Sequence, residues 1–403
     1  MSNVALLFPG QGSQIVGMGK DFWNHFDVAK LLFEEASDAI SFDLKKLCFE
    51  GNMNDLTLTM NAQPALLTVS VIAFHVYMQE MGMKPAYMAG HSLGEYSALV
   101  CAGVLSFRDA VQLVRQRGII MHNADPYQQG SMCAVSNIPM GTLQEICEEV
   151  STNERPVSIA CINANQQFVI SGHRQSLEEV IRRTESKDTK HSYLQVSGPY
   201  HSLMMQDAAE QFKIELDQYQ YRYSHAAYPI ISNVTAEPYQ SDRPVVDYLN
   251  KQMTWPVRWL ESMHYLIGQG VAEVIELGSK QVLVSLMNKI TKNIVSYSLG
   301  QPSDLTILAN SQARQDKLLT IRKQKLSQLM ITAFTSRNYS QDLAIYNKTV
   351  EPLFPKLQMI KEQLDNNRHE LSEKDIHDSI ELCHCILRAK QSPLNEKTMM
   401  NTI

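Results

Sequence analysis

Hydrophobic and polar positions alternate along this chain in blocks that change character three times. The first block opens on an apolar run that meets a Pro-Gly-Gln loop ("VALLFPGQGSQ"), which predicts a core strand entering a glycine turn. Apolar residues recur at helical spacing over 21–39 and 63–81. The second stretch ("ALLTVSVIAFHVYM") is so apolar that it predicts a buried helix. Residues 86–90 predict a short strand, a helix starts at about Leu93, and "FRDAVQLVRQRGIIMHNA" predicts another.

Near residue 125 the texture changes. "ADPYQQGSM" is rich in turn formers and reads as a hinge. Strand, helix, strand, strand, helix and strand patterns follow ("SMCAVSN", "MGTLQEICEEV", "VSIACIN", "QFVISG", "RQSLEEVIRRTES", "KHSYLQV"). That order is βαββαβ, the ferredoxin-like arrangement, and it predicts a small inserted domain over 127–197. Strands and helices then alternate again through "YPIISNV", "VAEVIELG" and "SKQVLVSLMNKI". The fold class expected is therefore α/β: a parallel-sheet domain made of residues 1–126 and 198–300, carrying the insert. Residues 301–403 show only helical patterns and predict a helical C-terminal extension, either packed on the main body or used for docking.

Composition narrows the function. A net charge of −6 without a basic block gives no reason to expect nucleic-acid binding. No apolar run approaches the roughly 20 residues that cross a bilayer, and the N-terminus lacks a basic leader region, so no membrane or secretory role is expected. Seven scattered cysteines suit a reduced, cytoplasmic protein. His377, Cys383, His384 and Cys385 crowd one helix of the tail, but adjacent helical positions diverge, so no metal site is expected.

The chemistry concentrates in "YMAGHSLGEYSALV". A strand, Gly-His-Ser-Leu-Gly and a helix form the nucleophile-elbow pattern, with Ser92 at its tip. Glycines at both ends let the backbone close up around a strained serine, and the helix N-terminus faces the charge formed during attack. The plainer alternative is an N-cap serine in a tight turn. A serine needs a base. Among twelve histidines, His201 in "SGPYHS" stands where the chain re-enters the large domain, on a backbone set by Gly198 and Pro199. His91 neighbours Ser92 and is expected to pack or bond locally.

Four separated motifs resemble the malonyl-CoA:acyl-carrier-protein transacylases, in order and in spacing: "FPGQGSQ", "GHSLGEYSAL", "RQRG" and "SGPYHS". The resemblance covers residues 3 to about 300 and is closest to discrete, trans-acting acyltransferases of polyketide synthases. It implies a hydrolase-like domain with a ferredoxin-like insert. It implies that Ser92 takes malonyl from malonyl-CoA and that His201 is its base, oriented by a backbone carbonyl in "NKQMTWPVRW", where Gln252 matches the family glutamine. Gln11 and Leu93 would supply oxyanion N–H groups. Arg117 would grip the malonyl carboxylate, and its neighbour Arg115 is expected at the surface. Tyr200 would crowd substituents on the malonyl α-carbon, and Asn163 would face the cleft unless it is a turn residue. The implied partner is an acyl carrier protein, which brings its own phosphopantetheine, so no resident cofactor is expected. Arg182, Arg183, Lys187 and Lys190 are the candidate basic patch for it. The tail, absent from most fatty-acid enzymes, points to a discrete enzyme docking on a polyketide synthase or to a piece of a longer parent. Two other readings stay open: an acyl hydrolase acting on carrier proteins, and a non-catalytic scaffold.

Overall fold

The computed structural model describes residues 4–220, 226–240, 244–310, 323–324, 326–337, 346, 350–366 and 373–390. One compact unit comprises Met1–Leu266, Glu273–Lys292 and Ser296–Ala309, and a second comprises Ile267–Ala272, Asn293–Val295 and Asn310–Ile403.

The strands are β1 Val4–Phe8, β2 Tyr87–Gly90, β3 Gly130–Ser136, β4 Val157–Ala164, β5 Gln167–His173, β6 Lys190–Tyr193, β7 Ile230–Ile231, β8 Glu273–Leu277 and β9 Val295–Leu299. The helices up to residue 309 are α1 Lys20–His25, α2 Asp27–Ile40, α3 Leu44–Glu50, α4 Met53–Thr57, α5 Thr59–Met81, α6 Leu93–Cys101, α7 Phe107–Asn123, α8 Met140–Val150, α9 Arg174–Thr184, α10 Gln206–Leu216, α11 Val245–Gln252, α12 Trp259–Gly268, α13 Val282–Ile290 and α14 Asp304–Ala309.

A five-stranded sheet runs β7-β2-β1-β8-β9. Its pairings β1–β2, β1–β8 and β2–β7 are parallel. All five residues of β1 are buried, which is why the run "VALLF" has no polar alternation. The register sets Phe8 beside Gly90, so the loops after β1 and β2 leave the same C-terminal edge. That edge is where an open α/β sheet presents its ligand site.

The second sheet is antiparallel, in the order β4-β5-β3-β6. With β3-α8-β4-β5-α9-β6 along the chain, this is the ferredoxin-like arrangement. Its core is Cys133, Val135, Leu143, Phe168, Ile170, Leu177 and neighbours. Backbone bonds from Val257 N–H to the Ala160 carbonyl (2.8 Å) and from Ile162 N–H to the Val257 carbonyl (2.9 Å) lace β4 to the segment that follows Gln252.

Four expectations need correcting. The predicted helix over 21–39 is two helices, because Phe26 is extended between them. The buried helix begins at Thr59, ahead of the predicted start, with Pro64 inside it. Proline has no N–H for the carbonyl four residues back. That carbonyl, on Met60, takes a 2.8 Å hydrogen bond from Arg115 instead. Arg115 also donates to Asn61 Oδ1 and lies over the Phe42 ring. It is a strut between α7 and α5 rather than a surface arginine. Finally, only Ile230–Ile231 of "YPIISNV" pairs in the sheet; the chain then turns to carry Asn233 to the serine elbow.

In the second unit, helices Phe354–Asn366 and Glu373–Ala389 and the helical residues 326–335 share a core of Leu326, Leu329, Met330, Leu357, Ile376, Cys383, Ile386 and others. Buried Lys390 donates to the carbonyls of Ala333 (2.7 Å) and Ser336 (3.0 Å). Cys383 is buried and Cys385 exposed, and no metal-holding cluster occurs among the described residues. No described helix is long and apolar enough to cross a membrane.

Candidate active site

Ser92 stands between β2 and α6 with φ 50° and ψ −104°, a backbone region that L-residues rarely occupy. The glycines explain how the elbow closes. A Cβ on Gly90 would lie 1.9 Å from the Gly94 carbonyl carbon, and one on Gly94 would lie 1.9 Å from the Phe8 oxygen. Asn233 fastens the turn from outside, accepting from the Ser92 N–H (2.7 Å) and donating to the Gly90 carbonyl (2.6 Å). This geometry removes the N-cap alternative, since the Ser92 side chain caps no backbone N–H of α6.

The hydroxyl points instead at His201. Ser92 Oγ and His201 Nε2 are 2.8 Å apart. His201 Nδ1 lies 2.7 Å from the Gln252 carbonyl oxygen, which fixes the tautomer with Nε2 free to accept. His201 is itself in the left-handed region, at φ 58°, on a turn tightened by the Ser202 hydroxyl donating to the Pro199 carbonyl. Burial, and then the Arg117 charge, drive the imidazole down to about 3, so it is neutral at physiological pH.

Arg117 is 1% exposed, beside the same serine. It donates to Gln63 Oε1 (2.9 Å) and Gln252 Oε1 (2.9 Å), and reaches Ser92 Oγ at 3.4 Å. Its guanidinium lies over the Tyr96 ring, and its Nε–H has no acceptor among the described residues. No ion pair joins it to a carboxylate among the described residues. Gly118 explains the "RQRG" pattern: a Cβ there would stand 2.5 Å from Met60 Cα, so only glycine lets α7 seat this closely on α5.

The remaining predicted residues surround this pair. The backbone N–H groups of Gln11 and Leu93 have no acceptor among the described residues. Gly10 brings the Gln11 loop close, since a Cβ on it would lie 2.4 Å from the His91 oxygen. The Gln11 side chain donates to Thr59 Oγ1 (3.1 Å), which bonds the Tyr200 hydroxyl (2.7 Å). Tyr200 also bonds Ser197 (2.7 Å), so the hydroxyl of this buried ring is fully engaged. Asn163 lies on β4, not in a turn, and its Oδ1 is 2.9 Å from His91 Nε2. His91 packs on Trp259, as expected, and also bonds across to the small sheet. In the candidate basic patch Arg182 and Arg183 both bind Glu179 and Arg183 also binds Glu149, while Lys187 and Lys190 are exposed.

Sequence reasoning missed Glu95, Asn233 and Gln63. Glu95 is 1% exposed, accepting from Tyr239 Oη (2.6 Å), the Asn233 N–H (3.2 Å) and Gln252 Nε2 (2.5 Å). The signal was clearest for Glu95, an acid on the helix "LGEYSALVC" whose other residues are small, apolar or aromatic.

Comparison with known proteins agrees with this geometry. The acyl transferase domain family model matches residues 5–330. A malonyl CoA-acyl carrier protein transacylase from Bacillus subtilis is 56% identical over 397 residues, covering 98% of this chain and 99% of that protein. The Escherichia coli K12 protein of the same name is 38% identical over 304 residues, covering 75% of this chain and 97% of its own. The crystal structure of FabD from Acinetobacter baumannii superposes with a TM-score of 0.73 at 36% identity, over 77% of this chain and 98% of that one. A malonyl-transacylase in complex with its type II PKS acyl-carrier protein gives 0.72 at 35% identity, over 76% and 98%. With an oriented serine–histidine pair and a buried arginine on a matching fold, this chain belongs to the malonyl-CoA:acyl-carrier-protein transacylases of the acyl transferase domain family.

Proposed function

We propose that this enzyme moves a malonyl group from malonyl-CoA to the phosphopantetheine thiol of an acyl carrier protein, by way of an ester on Ser92. His201 Nε2, 2.8 Å from Ser92 Oγ, takes the hydroxyl proton as the oxygen attacks the thioester carbonyl. The tetrahedral oxyanion is held by the Gln11 and Leu93 N–H groups, one such donor being worth about 3 kcal/mol. Collapse expels CoA as its thiol, which leaves with the proton from His201. The carrier-protein thiol then gives its proton to His201, attacks the ester and releases Ser92. The Gln252 carbonyl orients the imidazole through both half-reactions and stabilises its charged form, so no carboxylate need complete a triad.

One observation carries the substrate assignment. Arg117 is a buried cation within 3.4 Å of the reacting oxygen, held by two neutral amides, with an unpaired N–H to offer. A free carboxylate on the acyl group satisfies it; acetyl and longer neutral chains leave the charge unmatched. Tyr200 narrows the space beside the α-carbon, and Asn163, through His91, ties the small domain to the elbow. The enzyme works without a resident cofactor and in the cytoplasm. The family neighbour solved with a type II PKS acyl-carrier protein supports the partner class, and the product serves fatty-acid or polyketide extension. We assign the C-terminal helices to docking on a polyketide synthase; they have their own core, and the Escherichia coli relative matches only 75% of this chain while covering 97% of its own length.

The test is incubation with a panel of acyl-CoAs followed by intact-mass measurement. Malonyl is expected on the wild-type protein and no label on Ser92→Ala. Preferential loading of neutral acyl groups, followed by release to water, would establish the hydrolase instead.

A further inference from the structure

Gln252 is the pivot of the arginine's environment. Its Nε2 approaches three acceptors, Glu95 Oε2 at 2.5 Å, the Ser92 carbonyl at 3.1 Å and Asn233 Oδ1 at 3.4 Å, while its Oε1 receives the Arg117 guanidinium at 2.9 Å. An amide reversed at this place would set its oxygen against Glu95 and its NH2 against the guanidinium. Glu95 is the closest of the three acceptors and the only carboxyl among them; burial pushes it up to about 7, against the hydrogen bonds from Tyr239, Gln252 and the Asn233 N–H and the nearby Arg117 charge, which favour its ionised form. Its other oxygen is committed to Tyr239 and the Asn233 N–H, so both ends of the carboxylate are fixed. Glu95 and Arg117 are each 1% exposed and Gln252 is fully buried, so water cannot substitute for any of these contacts. Glu95 touches neither the serine hydroxyl nor the histidine.

We propose that Glu95 is a positioning residue for substrate choice: it dictates which way the Gln252 amide faces and thereby holds the Arg117 guanidinium where it can receive a malonyl carboxylate. The inference rests on the malonyl reading above. A side chain that accepts on both oxygens is what the site requires. Glutamine at 95 has one acceptor and one donor. If its oxygen stays with Tyr239 and Asn233, its NH2 confronts Gln252 Nε2. The Gln252 amide then turns over, and Arg117 loses an acceptor and its fixed position.

The experiment measures Ser92 acylation by malonyl-CoA and by acetyl-CoA in the wild-type enzyme and in Glu95→Gln, as kcat/KM for each, with thermal melting as the folding check. Malonyl acylation is expected to fall about 10- to 100-fold, the range for losing one hydrogen bond to a charged group. Acetyl acylation is expected to change by less than about threefold, because the serine–histidine pair is untouched. An equal fall for both substrates would reveal a merely structural carboxylate and overturn the inference, as would an unchanged ratio. A wild-type enzyme with no malonyl preference would instead remove the underlying reading. If Glu95→Gln does not melt cooperatively, Gln252→Met serves in its place, since it deletes the amide and keeps the backbone carbonyl that orients His201. Loss of malonyl preference there supports the relay, and retained preference refutes it.

Discussion

Replacing Arg117 by alanine should cost this enzyme malonyl and leave it acetyl. In the structure the guanidinium has two neutral anchors, Gln63 and Gln252, and an N–H without an acceptor. A malonyl carboxylate meeting two parallel N–H donors gains two charge-assisted hydrogen bonds. At about 1.5–3 kcal/mol each, the pair contributes about 3–6 kcal/mol. With a decade per roughly 1.4 kcal/mol, malonyl kcat/KM should drop roughly a hundred- to ten-thousand-fold in Arg117→Ala. Acetyl has no carboxylate to lose and should hold its rate. The assay is competition between malonyl-CoA and acetyl-CoA for Ser92, read by mass after a single turnover. Acetyl loading doubles as the control that the Ser92–His201 pair survives. Equal losses for both substrates would mean that Arg117 acts through its 3.4 Å contact to Ser92 Oγ and not through the substrate, and the selectivity argument would fall.

Three further outcomes follow from the same structure. Burial lowers His201 to about 3, so acylation should stay level as pH falls from 7 to 5.5; an acid limb centred near 6.5 would contradict the environment described. The same depressed value means that the unfolded chain takes up a proton below about 6.5 while the folded one does not until about 3, so stability should be lost as pH falls through that window, and less steeply in His201→Gln. Gly94→Ala sets a methyl 1.9 Å from the Phe8 carbonyl oxygen and should destabilise the protein by at least about 3 kcal/mol in denaturant unfolding, whereas Gly141→Ala, with no atom within 4 Å, should be nearly neutral.

Much of this arrangement was legible from residue order, for identifiable reasons. The strand "VALLF" and the helix "ALLTVSVIAFHVYM" read correctly because full burial leaves no polar positions to confuse the period. The βαββαβ insert read correctly because each element is short, regular and bounded by turn formers. The structure brings Ser92, His201 and Arg117 together, the grouping that the resemblance of their motifs implies. What escaped was set by partners distant in sequence. Arg115 reads as a surface residue until Pro64, about fifty positions earlier, leaves a carbonyl for it. Asn233 looks like a strand-end residue until the chain bends to the elbow. Glu95 was visible as an acid on an apolar helix, but its role depends on Gln252, 157 residues away. The pairing inside the candidate basic patch escaped for the same reason: Glu179, one helical turn before Arg182 and Arg183, binds both.

The account stands or falls on an acyl group passing through Ser92. The direct measurement is to load the enzyme with malonyl-CoA, remove excess CoA, locate the adduct by peptide mass, and add a carrier protein bearing phosphopantetheine. The adduct should sit on Ser92 alone and move stoichiometrically to the carrier thiol. An adduct elsewhere, or a Ser92 ester that yields only free malonate in the presence of the carrier, would contradict it.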